Sequence, residues 1–172
     1  MSDIPGARPS DTEILPIEDV EQAAAALVDL LKNTRRQFLL YTPAVAPDWL
    51  EDDDVINHLR RLVLQQPRAQ CLLLLPPAQR WRRSCPRLTK LIQQLGALEL
   101  RTPPADVHAD KAAYNYGFAI GDERHLLLLN DPVRCAGSLT LGGGAQGRQL
   151  AEFFTELWEH GRKDVELRKL GI

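Results

Sequence analysis

The sequence has no apolar run near the roughly 20 residues that a membrane-spanning helix needs. Its first residues, MSDIPGARPSDTEILP, show neither the basic start nor the apolar stretch of a signal peptide. We therefore expect a cytoplasmic protein that makes no contact with a membrane.

Cysteine is scarce. The three cysteines, Cys71, Cys85 and Cys135, are an odd number and form neither a CxxC pair nor a zinc-binding spacing. They are predicted to be buried or idle thiols, and we expect neither a metal nor another cofactor.

An excess of charge of one sign is also missing. The 21 Lys and Arg nearly balance the 23 Asp and Glu, which gives a net charge of −2 and a pI near 6.1. This balance excludes a chain that binds nucleic acid or acidic membranes through its overall charge. The 172 residues, 44% of them hydrophobic, suffice for one domain with a sizeable core.

The first half alternates helical and strand patterns. The segments IEDVEQAAAALVDLLKNT, EDDDVINHLRRLVLQQP and RLTKLIQQLG each carry an apolar stripe at helical spacing. Between and after them stand three short apolar runs, QFLLYTP, AQCLLLLPP and ALELRTPP, which predict buried strands. The order αβαβαβ indicates a sheet covered by helices on both faces.

The second half is richer in strand signals. YGFAIGDERHLLLLNDP predicts two strands around a turn at residues 121–123, and RCAGSLTL predicts another strand. LGGGAQG lacks the Lys-Ser/Thr of a phosphate-binding loop and is interpreted as a joint before a final helix at residues 145–160.

These segments together resemble phospholipase-D-like domains. The stretches that carry the resemblance span roughly residues 17–172, and FFTELWEHGRKDVELRKLGI is the most distinctive. More narrowly, the chain resembles an uncharacterised bacterial group of such domains. The resemblance implies one phospholipase-D-like half domain over residues 16–172, with a mixed, largely parallel sheet and helices on both faces. Residues 1–15 are expected to form a flexible arm.

Active members of this superfamily carry the motif H-x-K-x4-D, in which the His attacks phosphorus and the Lys neutralises phosphate oxygens. In the strand NYGFAIGD, Asn115 stands at the His position and Gly117 at the Lys position, so that only Asp122 matches. Asn is a poor nucleophile and Gly carries no charge. The resemblance therefore predicts a chain that is not a phosphodiesterase.

His108 and Lys111 lie near this strand, but their spacing is H-x-x-K. On a regular strand an offset of three residues sends two side chains to opposite faces. We expect them to help bind an anion at most. His58 and His125 are predicted to be structural or exposed.

The run RWRRSCPRLTK contains no acid and five cations: Arg80, Arg82, Arg83, Arg87 and Lys90. It lies between a strand and a helix, at the edge where open α/β sheets commonly bind ligands. Arg side chains there are suited to phosphate or carboxylate, and Trp81 is suited to stacking on a base. The alternatives are a solvated basic loop with Trp81 packed beneath it, or a contact with a protein partner.

The acids Glu51–Asp54 stand at or before a predicted helix start. Carboxylates in this position usually cap the helix and interact with its dipole, so we interpret them as caps rather than metal ligands.

Three functions remain open from the sequence. The first is a non-catalytic binding or adaptor domain whose partner is another protein or a second copy of the chain, since phospholipase-D-like halves typically pair. The second is binding of nucleic acid or a phosphorylated ligand through residues 80–90, which is possible but not favoured. The third is a phosphodiesterase with a rearranged site.

Overall fold

The computed structural model describes residues 13–45, 47–104, 115–164 and 167. Its elements follow one another as β1 (Glu13–Ile17), α1 (Val20–Lys32), β2 (Gln37–Tyr41), α2 (Pro47–Leu50), α3 (Asp53–Gln65), β3 (Gln70–Leu74), α4 (Pro86–Gln94), β4 (Leu98–Thr102), β5 (Gly117–Gly121), β6 (His125–Asp131), β7 (Ala136–Leu141), α5 (Ala145–Glu159) and β8 (Arg162–Lys163). None of the described helices is long and apolar enough to cross a membrane.

In the described part of the chain, eight strands form one sheet in the order β1-β7-β6-β5-β2-β3-β4-β8. Strands β2, β3 and β4 are parallel, because the crossover segments that contain α3 and α4 join them. The other neighbouring strands are antiparallel, and tight turns connect β5 to β6 and β6 to β7. The sheet is mixed, as predicted, but parallel pairing is limited to β2–β4 and antiparallel pairs prevail.

Helices cover both faces of the sheet, as the continuous apolar strands predict. On β2, Phe38 and Leu40 pack into a core with α1, α3 and α4, whereas Leu39 and Tyr41 pack into a second core with α5. Successive side chains of a strand point to opposite faces, so an unbroken apolar run fills both cores.

The helix boundaries follow local chemistry that the sequence already displays. Asp19 precedes α1, and its side chain accepts a hydrogen bond of 2.9 Å from the backbone N–H of Gln22. Helix α5 starts at Ala145, as predicted, but the predicted joint LGGGAQG is too long, because its last residues Ala145–Gly147 form the first turn of the helix.

The predicted arm of residues 1–15 is too long. Glu13, Ile14 and Leu15 belong to β1, which pairs antiparallel with β7 at the edge of the sheet. The segment EILPI is short and contains Pro16, which gives it little strand signal of its own. The domain therefore includes residues 13–15, and residues 1–12 lie outside the described residues.

The three cysteines are buried free thiols, which confirms their interpretation. Burial raises the pKa of Cys71 to about 11. Burial, together with the nearby charge of Glu51, also raises the pKa of Cys85 to about 11. A thiol protonated at neutral pH and shielded from solvent is a poor nucleophile.

Candidate functional site

The candidate site lies at the sheet edge where β2 and β3 end. These strands are parallel, with Tyr41 beside Leu74, and β5 enters this edge antiparallel to β2, with Phe118 beside Tyr41. Residues 115–117 therefore lie at the carboxyl ends of the parallel strands, which is the usual ligand edge of an open α/β sheet.

The first two motif positions offer no catalytic chemistry. Asn115 is exposed, whereas Gly117 is buried. A Cβ atom at position 117 would lie 3.2 Å from Oγ1 of Thr42 and 3.3 Å from Cβ of Pro132, which is closer than most Cβ contacts in proteins. A long cationic side chain at this position would require Thr42 and Pro132 to move.

Asp122 lies at the opposite end of β5, in the turn to β6. Its carboxylate accepts hydrogen bonds from the backbone N–H groups of Arg35 (2.9 Å), Arg36 (2.7 Å) and Gln37 (2.9 Å). Burial raises the pKa of this carboxyl, but the three N–H donors and the charge of Arg36 outweigh that effect and hold the pKa below its ordinary value. Asp122 thus joins the β5–β6 turn to the start of β2.

His125 also has a structural role. Its Nδ1 accepts a hydrogen bond of 3.1 Å from the backbone N–H of Gly142, in the connection to α5. Burial and the charge of Arg124 lower the pKa of His125, against the opposing effects of Asp122 and a hydrogen bond to the backbone of Asn33. A neutral ring with Nδ1 as acceptor is consistent with this position.

Carboxylates occupy the amino ends of both crossover helices. Asp52 accepts hydrogen bonds from the N–H groups of Asp54 (3.0 Å) and Val55 (3.2 Å), at the start of α3. Glu51 accepts hydrogen bonds from the N–H groups of Arg87 (2.6 Å) and Leu88, in the first turn of α4. The interpretation as a cap of α3 is confirmed for Asp52, whereas Glu51 binds the start of α4 instead.

The N–H groups at the start of a helix are natural anion donors, and in α4 the chain's own Glu51 takes the position of that anion. No group of three or more possible metal ligands (His, Cys, Asp or Glu) occurs among the described residues.

The basic segment lies where the sequence predicts, between the end of β3 and the first turns of α4. Arg80, Arg83, Arg87 and Lys90 are exposed, and Arg82 is half-buried. Arg87 forms an ion pair with Asp53 of α3.

The prediction that Trp81 stacks on a base is wrong. The side chain is only 2% exposed and belongs to the core beneath α3 and α4. Its indole N–H donates a hydrogen bond of 2.8 Å to the carbonyl oxygen of Pro76. No face of the ring is available to a ligand. The other interpretation of this segment, a basic loop with Trp81 packed beneath it, fits the structure.

His108 and Lys111 lie outside the described residues, so their expected role in binding an anion stays a prediction.

The structure adds one residue to the basic site, Arg60 of α3, which was not predicted from the sequence. Arg60, Arg87 and Lys90 line one open groove of about 360 Å³ between α3 and α4, together with Asp53, Ile56, Asn57 and Gln94. The sequence did contain a signal for this groove, because residues 53, 57 and 60 are three or four positions apart and therefore lie on the same face of a helix.

Solved structures with the same architecture define the class. Nuc from Salmonella typhimurium, a phospholipase D family member, superposes with a TM-score of 0.59 at 12% identity over 88% of this chain and 97% of its own. NucT from Helicobacter pylori gives a TM-score of 0.62 at 7% identity over 88% of this chain and 98% of its own. The archaeal chromatin protein TrmBL2 gives a TM-score of 0.58 at 18% identity over 87% of this chain, which spans only 54% of the length of TrmBL2. These likenesses establish a phospholipase-D-like α/β fold.

The sequence itself assigns the family. The family model described as "Domain of unknown function (DUF7931)" matches residues 19–170, nearly the whole chain, and the chain belongs to this family. No curated protein matches the sequence.

Proposed function

We propose that this chain is a non-catalytic binding domain built on a phospholipase-D-like fold, from a bacterial branch of such domains that lacks the catalytic motif. The proposal rests on one observation, which is that none of the three motif positions offers a side chain for catalysis. Asn115 and Gly117 provide neither a nucleophile nor a cation, and Asp122 uses its carboxylate on backbone N–H groups. Attack on a phosphodiester needs both missing groups.

The charges at the same edge also support the proposal. Glu51 and Asp52 occupy the backbone N–H groups that would otherwise face a substrate phosphate. A phosphodiester would have to compete with these two carboxylates for the N–H donors, even though exposed cations of residues 80–90 lie at the same edge.

The first test is hydrolysis. We expect the purified chain to hydrolyse bis(p-nitrophenyl) phosphate no faster than buffer, with Asn115→Ala indistinguishable from the wild type, because no described residue at the motif positions can attack phosphorus. A rate above buffer would contradict the proposal. If His108→Ala abolished that rate, the activity would belong to a rearranged site that uses His108 and Lys111, whereas persistence of the rate would exclude such a site.

The second test is the oligomeric state. We propose that the chain acts through protein contacts and pairs with a second copy, with the exposed faces of residues 54–66 and 145–160 as candidate surfaces. The fold covers 97% and 98% of the Nuc and NucT chains, so those chains also consist of a single half domain, and phospholipase-D-like halves typically pair. Light scattering should give twice the 19.3 kDa of one chain. A monomer throughout the micromolar range would contradict pairing.

A second candidate function is binding of nucleic acid through residues 80–90. It is favoured by the exposed cations of this segment and by the likeness to TrmBL2, whose structure shows a novel mode of DNA binding. A small phosphorylated ligand has less support, because Glu51 already occupies the start of α4 and Trp81 is buried.

A further inference from the structure

The near-zero net charge hides a strong separation of charge along the chain. From Val55 to Leu98 the sequence contains no Asp or Glu. The same stretch contains eight cations, which are Arg60, Arg61, Arg68, Arg80, Arg82, Arg83, Arg87 and Lys90. The rest of the chain therefore carries thirteen Lys and Arg against all 23 Asp and Glu. A net charge of −2 is the sum of one strongly basic segment and a strongly acidic remainder.

The two helices of this acid-free segment lie on the same side of the molecule. Helices α3 and α4 cover the same face of the sheet, because both pack into the core that contains Phe38 and Leu40. Six of the eight cations are exposed, while Arg60 and Arg82 are half-buried. Arg60 from α3 and Lys90 from α4 line the same open groove, so cations of the two helices converge there.

The acids nearest these cations are Glu51–Asp54 at the amino end of α3, where Asp53 also lines the groove. Among the eight cations, only Arg87 forms an ion pair with another described residue, Asp53. Arg60 is 3.4 Å from the side-chain oxygen of Asn57, a neutral group. Cations held together on one surface create a positive potential, which attracts a polyanion and speeds its association.

The spacing and chemistry of this surface indicate which polyanion it fits. Helix α3 has 13 residues and is about 20 Å long, a length along which duplex DNA presents about six phosphates per strand. The exposed large apolar side chains of the described residues are Ile14, Leu15, Leu64 and Val133, and none of them is aromatic. A surface with cations but no stacking ring is suited to the phosphate backbone rather than to unpaired bases.

We propose that the α3–α4 face binds the phosphate backbone of double-stranded nucleic acid without sequence preference. This inference rests on the second candidate function, binding of nucleic acid, and it leaves residues 145–160 as the surface for pairing with a second copy. It extends the predicted segment 80–90 to α3, and it makes the groove between the two helices the centre of the contact.

The wild-type chain provides the first measurement. Fluorescence anisotropy with two 24-base-pair duplexes of unrelated sequence should give the same affinity for both. If about four phosphates are neutralised, log Kobs should fall with log salt with a slope of roughly −3 to −4 between 50 and 200 mM salt. Absence of binding at 50 mM salt, or a preference for one duplex, would overturn the inference.

The second measurement uses charge reversal within the acid-free segment. The variant Arg60→Glu, Arg83→Glu, Lys90→Glu leaves the Arg87–Asp53 ion pair in place. It should bind the duplex about tenfold or more weakly and should show a shallower salt slope, because three phosphate contacts are lost.

A matched control separates this surface from overall charge. The variant Arg124→Glu, Arg134→Glu, Arg148→Glu reverses three exposed cations outside the segment and has the same net charge. It should bind within about threefold of the wild type, because charges beyond the contact are screened. Equal losses in both variants would overturn the inference.

Two further outcomes are distinguishable. If polyglutamate bound more tightly than the duplex, the partner would be an acidic protein and the inference would fail, while the proposed function would stand. If the duplex were bound and then cleaved, the proposed function would fail, while the contact surface would remain.

Discussion

Replacing Asp122 with alanine is expected to lower the free energy of unfolding by about 2–3 kcal/mol. The carboxylate accepts three backbone N–H groups, those of Arg35, Arg36 and Gln37, across a separation of 85 to 87 residues. The alanine variant leaves these donors without a protein partner. Partial exposure lets water replace some of the bonds, which keeps the expected loss below the sum of three buried charge-assisted hydrogen bonds.

Urea denaturation at pH 7 measures this effect. Asp122→Asn should lose about half as much, because the amide keeps one acceptor oxygen and tolerates the left-handed backbone of this turn, where φ is 53°. Glu123→Ala is the matched control. Glu123 is exposed in the same turn with a φ of 59°, and its removal should cost less than about 1 kcal/mol. An Asp122→Ala variant as stable as this control would contradict the structural role of Asp122.

The effect should depend on pH in a defined direction. The folded-state pKa of Asp122 lies below its ordinary value, so its contribution to stability is fully present above about pH 4. That contribution is lost as the pH falls through the ordinary pKa towards the folded-state pKa. The stability difference between the wild type and Asp122→Asn should therefore shrink from pH 7 to pH 3. A difference that stays constant would indicate that the carboxylate charge is not involved.

Replacing Gly137 with alanine is expected to lower the free energy of unfolding by about 3 kcal/mol or more. Gly137 lies directly opposite Leu129 in the β6–β7 ladder. An added Cβ would overlap the carbonyl oxygen of Leu128 and would lie 2.8 Å from Cα of Leu129. Both neighbours are backbone atoms, so no side-chain rotation relieves the overlap and β7 must separate from β6. Strand β1 pairs with β7 and would be displaced with it.

Thermal unfolding followed by circular dichroism measures this effect. Gly143→Ala is the control, because no atom outside the adjacent residues lies within 4 Å of a Cβ at position 143. This control should change the stability by less than about 1 kcal/mol. A Gly137→Ala variant with the melting temperature of the control would show that β6 and β7 do not approach each other as closely as described.

The sequence predicts most elements that carry a strong periodic pattern. The apolar stripes of α1, α3, α4 and α5 and the apolar runs of β2, β3 and β4 appear where the pattern places them. β1 is missed because its strand form depends on pairing with β7, more than 100 residues later in the chain. α2 and β8, with four and two residues, are too short to show a period.

The candidate site, like the fold, could be predicted from the sequence only in part. The sequence by itself determined which residues stand at the motif positions, because residue identity and spacing are local facts: Asn115 and Gly117 cannot supply the chemistry of His and Lys in any fold. Only the tertiary structure decided that Asp122 binds the start of β2, that Glu51 closes the start of α4 and that Trp81 is buried. These three outcomes depend on contacts between segments far apart in the chain, and burial or hydrogen bonding across such distances leaves no periodic signal in the sequence.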